Sequence, residues 1–113
     1  MNVLTVCIGG RVRSVSVSNF LKGHYSADVI ALGTATNSEQ TFKMISDWAD
    51  IIIPVEDRYN NTVPAKYKEK WESCVIWNYK DKVKVMDLGF DIWGNPMHKD
   101  LEQLVESRIK NVL

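Results

Sequence analysis

Cysteine is scarce in this chain: 113 residues carry only Cys7 and Cys74, with no Cys-x-x-Cys pair. That is too few for a disulfide-stapled scaffold and predicts a reducing, cytoplasmic setting. With only His24 and His98 beside them, no zinc site and no other metal or cofactor is expected. A charge bias is lacking too, because fourteen Lys and Arg balance fourteen Asp and Glu. Nothing global therefore draws the protein to nucleic acid or to an anionic membrane surface. Long apolar runs are also missing. The longest, around "IIIPV", falls far short of the roughly 20 residues that cross a bilayer, and "MNVLTV" does not open the chain as a signal peptide would. No repeat, linker or low-complexity tract divides the sequence. What is present, 45% hydrophobic and 25% charged residues, predicts one globular domain over residues 1–113 with a modest core.

Strand and helix patterns alternate. "NVLTVC", residues 2–7, is a short β-branched run of the buried-strand kind. After a glycine pair, Val17, Phe20 and Leu21 recur at helical spacing and Lys22–Gly23 suits a helix end. The period-two "SVSVS" leaves a strand as a competitor there. "ADVIALG", 27–33, predicts a second strand. Asn37 is then the expected N-cap, with Gln40 at the third helical position and Thr41, Met44, Ile45 and Trp48 on the core face. "DIIIPV", 50–55, predicts a third strand that leaves at Pro54. From Pro64, a stripe of Tyr67, Trp71, Cys74 and Val75 predicts a helix. "KVKVMDL", 82–88, predicts a fourth strand. Asn95 and Pro96 are the expected cap and first position of a last helix with Leu101, Leu104, Val105, Ile109 and Val112 inward. The fold class is therefore α/β: a three-layer sandwich with a four-stranded parallel sheet flanked by helices. Such sheets bind ligands at the carboxyl ends of their strands.

The first such end is "VCIGGRVRS", residues 6–14. It reads either as an ordinary strand-to-helix turn, with Cys7 a small buried hydrophobe, or as an anion cradle. In the second reading the backbone amides of Ile8, Gly9, Gly10, Arg11, Val12 and Arg13 converge on one anion at a helix N-terminus. The glycines permit the turn and Arg13 adds a bidentate fork. Such a field lowers a thiol pKa from roughly 8.5 toward about 3.5–7.5, making Cys7 a nucleophile beside a bound phosphate or sulfate. Ser14 is placed to donate to the sulfur. The loop lacks the Gly-Lys-Ser/Thr ending of a nucleotide P-loop. Its position between a strand and a helix favours the cradle.

"VLTVCIGGRVRS" resembles the phosphate loop of the low-molecular-weight protein tyrosine phosphatases, which reads Cys, five residues, Arg, Ser. "ALGT", "DWADIIIPVED" and "DLGFDIWG" are similar to that family's second strand, third strand and acidic loop, so the likeness spans nearly the whole chain. The resemblance implies a metal-free, cofactor-free hydrolysis of phosphotyrosine, in a phosphorylated protein, or of a small aryl phosphate. Cys7 would form a phosphocysteine, and Arg13 and the loop would hold the phosphoryl oxygens; Arg11 adds a charge that either tunes substrate choice or is simply solvated. The sequence departs from the family at Gly10 (usually Asn, a brace for the loop), Val12 (often a second Cys), Val15 and Ile92 (each usually Pro).

The acid should come from a loop at the same edge. Asp91, followed by Trp93 and Gly94, is favoured, with Asp87 the alternative; either could instead cap a turn. Trp93 and Phe90 could grip an aryl ring or cover the sheet. Two other functions stay open: a phosphate- or phosphoprotein-binding module without turnover, and a thiol-dependent arsenate reductase using Cys74. Cys74, standing alone on an apolar stripe, reads as core packing. His24 and His98 read as surface residues at helix ends, and the "KYKEK" and "KDKVK" runs as solvated faces. Tyr25, Tyr59, Tyr67 and Tyr79 could carry phosphate, with nothing to choose among them.

Overall fold

The computed structural model describes residues 1–7, 13–33, 37–55, 78–86, 88 and 95–112. Its elements run β1 (Asn2–Cys7), α1 (Arg13–His24), β2 (Asp28–Gly33), α2 (Glu39–Trp48), β3 (Ile51–Pro54) and α3 (Lys99–Ile109). β1 is central and both its neighbours are parallel, in the order β2-β1-β3. It pairs with β2 from Asn2–Asp28 to Cys7–Gly33, and with β3 from Val3–Ile51 to Val6–Pro54. All carboxyl ends therefore share one edge, and Cys7 is the last residue of the middle strand.

Side-chain alternation along β1 builds two cores. Val3 and Cys7 face α1 and α3, in a cluster with Val17, Leu21, Ile53, Leu101, Val105 and Ile109. Leu4 and Val6 face α2, packing with Leu32, Phe42 and Ile52. Helices on both sheet faces confirm the α/β, three-layer expectation.

Among the described residues of the expected fourth strand, 82–86 and 88, no regular strand forms. Residues 82–86 run beside β3 with one bridge, Ile52–Val83: Ile52 donates to the Lys82 carbonyl and Lys84 donates to the Ile52 carbonyl, each at 2.9 Å. Met86 then donates to Pro54 at 2.8 Å. The reciprocal bond would need an N–H on Pro54, which a proline lacks. The residue expected to end β3 thus also interrupts its outer ladder.

Helix ends shift as well. The N-cap of α2 is Ser38, whose Oγ accepts the Thr41 N–H, not Asn37. Asn37 instead closes the turn after β2: its N–H donates to the Gly33 carbonyl and its Oδ1 accepts the Gly33 N–H, both at 2.9 Å. The inward face of α2 is Phe42 and Ser46, with Ile45 and Trp48 partly buried, while Met44 is exposed. α3 is capped by His98, whose Nδ1 accepts the Asp100 N–H. Asn95 accepts the Met97 N–H in the turn before it. The α3 core face is as expected at Leu101, Val105 and Ile109, with Leu104 partly buried, and Val112 is buried just beyond the helix. α1 is a helix, so the strand reading of "SVSVS" fails: Ser14, Ser16, Val17 and Ser18 are all buried. The helix predicted from Pro64, with Cys74, lies outside the described residues. No helix among the described residues is long and apolar enough to cross a membrane.

Candidate functional site

β1 delivers Cys7 to the carboxyl edge beside β3, where strand order reverses, the position at which open parallel sheets hold ligands. Its sulfur is a thiol and the residue is 3% exposed. Period two puts Thr5 on the same face of β1 as Cys7. Both side chains meet the first turn of α1. Cys7 Sγ lies 3.0 Å from Ser14 Oγ, and the Thr5 hydroxyl donates to the Ser14 carbonyl at 2.8 Å. Ser14 is completely buried and held at two points by one strand.

Arg13 opens α1 and is 3% exposed. A cation there runs against the helix dipole, whose N-terminal end is positive and favours anions. The other described helices carry acids there: α2 has Glu39 in its first turn, and α3, which opens on Lys99, has Asp100 and Glu102. α1 has no acidic residue in its first turn. The helix whose first turn meets the Cys7 sulfur thus opens on an arginine at the positive end of its dipole, residue types suited to a bound oxyanion.

Of the site residues expected from the sequence, Cys7 and Ser14 are brought into contact, and Arg13 is buried one residue before Ser14. Ile8, Gly9, Gly10, Arg11 and Val12 lie outside the described residues, as do Asp87, Phe90, Asp91 and Trp93. His24 and His98 are exposed at the end of α1 and the start of α3. Among the described residues, no three His, Cys, Asp or Glu side chains come together as metal ligands would. Lys82 is more than a solvated charge: its Nζ donates to the carbonyls of Ser46, at 3.1 Å, and Asp47, at 3.4 Å, in the last turn of α2. Thr5 was not singled out by sequence. Its signal is a hydroxyl two residues before Cys7 in an otherwise apolar strand interior.

The fold and site define a class: a parallel α/β domain with a thiol–hydroxyl pair where a helix N-terminus meets the carboxyl end of the central strand. Comparison with protein-family models, with curated proteins and with solved structures found no match.

Proposed function

We propose that this protein is a cysteine-dependent phosphomonoesterase, hydrolysing phosphotyrosine in proteins or small aryl phosphates. In this reading it is a cytoplasmic domain with the four-stranded architecture of the low-molecular-weight tyrosine phosphatases, residues 82–88 serving as the fourth member of the sheet. One observation carries the proposal: the 3.0 Å contact of Cys7 Sγ with Ser14 Oγ, at the carboxyl edge and beneath a helix end that lacks an acid.

Cys7 thiolate attacks phosphorus, forming the S–P bond as the P–O bond to the aryl group breaks. Arg13 and the amides of residues 8–13 hold the equatorial oxygens, where charge stabilisation and positioning supply most of the catalysis. Asp91, or Asp87 in its place, gives its proton to the departing phenolate. Water then attacks phosphorus, the same carboxylate takes its proton, and the S–P bond breaks to release inorganic phosphate. The Ser14 hydroxyl stabilises the sulfur as it leaves.

The test is aryl phosphate turnover in the wild type, Cys7→Ser and Asp91→Asn. The reading expects Cys7→Ser to lose about three orders of magnitude or more in kcat, and Asp91→Asn to lose roughly 10²–10⁴. Turnover that survives Cys7→Ser would overturn it. Phosphate or vanadate binding without turnover would favour a binding module. Arsenate reduction dependent on Cys74 would favour a reductase.

A further inference from the structure

Thr5 is completely buried at the midpoint of β1, between Ala31 of β2 and Ile53 of β3. Valine would have the same shape, the same strand preference and no hydroxyl to desolvate. Packing therefore does not explain a threonine here. The bond it makes explains little of stability either, because a buried hydroxyl satisfied by one hydrogen bond is close to neutral against an apolar isostere. Nor does the acceptor need it. As the second residue of α1, Ser14 already offers its carbonyl to a helical N–H four residues on, and Thr5 takes the remaining lone pair.

What the bond does is geometric. The backbone of Ser14 is tied to Thr5 and its side chain meets Cys7, two residues farther along the same strand face. Two contacts to one rigid strand fix both the height of α1 on the sheet and its rotation about its own axis. A rotation of α1 that lengthened the Thr5 bond would also carry the Ser14 hydroxyl away from the sulfur.

We propose that Thr5 is a positioning residue: its hydroxyl holds the first turn of α1 so that the Ser14 hydroxyl stays on the Cys7 sulfur. It acts through Ser14 and touches no substrate. The catalytic consequence rests on the phosphatase reading, in which the Ser14 hydroxyl stabilises the departing Cys7 sulfur.

The experiment compares wild type, Thr5→Val, Thr5→Ser, Ser14→Ala and the Thr5→Val/Ser14→Ala double variant. The first readout is the iodoacetamide alkylation rate of Cys7 at neutral pH, followed on the Cys7 peptide by mass spectrometry so that Cys74 does not contribute. The second is aryl phosphate kcat and KM. Thr5→Val is expected to slow alkylation and lower kcat about tenfold, the rate equivalent of one hydrogen bond. KM should change much less. Thr5→Ser should restore both rates, and Thr5→Val should add nothing once Ser14 is alanine. Wild-type rates in Thr5→Val, no rescue by Thr5→Ser, or full additivity in the double variant would each overturn the proposal. Should Thr5→Val fail to fold by circular dichroism, Thr5→Ala takes its place with the same expectations. A wild type that never turns over aryl phosphate sinks the phosphatase reading alone, because alkylation still measures the Thr5–Ser14–Cys7 coupling.

Discussion

α1 and α2 cover opposite faces of the same central strand, and they bury different chemistry. α2 turns Phe42 into the sheet, with Ile45 and Trp48 packed beside it, and begins with Ser38 as its cap and an acid in its first turn. Its last turn receives Lys82 from outside the helix. α1 begins on a buried arginine and has no acidic residue in its first turn, and three serines share its buried face with Val17 and Leu21. Hydroxyls and a guanidinium are poor ways to hold a helix on a sheet. α2 is thus built for attachment, while the start of α1 is built to present polar groups at the carboxyl edge. Reactive placement is concentrated at the start of α1; farther along, Val17 and Leu21 hold the same helix in the larger of the two described cores.

Breaking the attachment side should give the largest effect. Phe42→Ala removes a ring with no exposed surface and is expected to lower unfolding free energy by about 3–5 kcal/mol, read from urea midpoints. Any fraction that remains folded should keep its Cys7 alkylation rate. Breaking the presenting side should instead spare stability and affect chemistry. Arg13→Lys is expected to lower aryl phosphate turnover by roughly 10²–10³, because an ammonium cannot reproduce the planar fork. The thermal midpoint gained by the wild type on adding vanadate should be lost with it.

A smaller change sharpens the contrast within α1. The Ser16 hydroxyl is buried and makes no hydrogen bond among the described residues, unlike that of Ser14. Ser16→Ala removes an unsatisfied group and adds helix preference, so it should stabilise by about 1 kcal/mol without altering Cys7 reactivity. If it slows Cys7, the serine face of α1 acts as one unit, and the division between Ser14 and Ser16 drawn here is wrong.

The smallest expected effect lies at the far end of α2. The Tyr79 hydroxyl donates to Asp47 Oδ1 at 2.6 Å. That bond, followed by partial burial and the carboxylate's charge, raises the phenol above its ordinary value of 10.0. A raised folded-state value means that the group's contribution is complete below the unfolded value and fades as pH rises through the folded one. Tyr79→Phe should therefore cost about 1 kcal/mol or less near neutrality. The gap from wild type should close only well above pH 10, as measured by denaturation across that range.

Much of this organisation is legible in the sequence, and the failures have physical causes. "NVLTVC" has the residues of a buried strand and forms one from Asn2 to Cys7. The pairing of Cys7 with Ser14 follows from a strand and a helix meeting through a short loop. The inward face of α2 was misread because Ser38 and Asn37 are both good caps, and only their partners decide between them. Asn37 is engaged with Gly33, so the helix starts at Glu39 and Phe42, not Met44, faces the sheet. The fourth strand was misread because alternation in "KVKVMDL" describes its own side chains, whereas the missing donor belongs to Pro54 on the neighbouring strand. Thr5 escaped notice for a related reason: its acceptor is a backbone carbonyl, which leaves no trace in residue identity.

The most direct test of the central claim, that Cys7 is the nucleophile, is to quench turnover of an aryl phosphate rapidly in acid and map the phosphoryl group by mass spectrometry. The account predicts a phosphorylated sulfur on the peptide carrying Cys7, accumulating further in Asp87 or Asp91 variants that hydrolyse the intermediate slowly. Turnover that proceeds with the phosphoryl group elsewhere, or with none on the protein at any quench time, would contradict it.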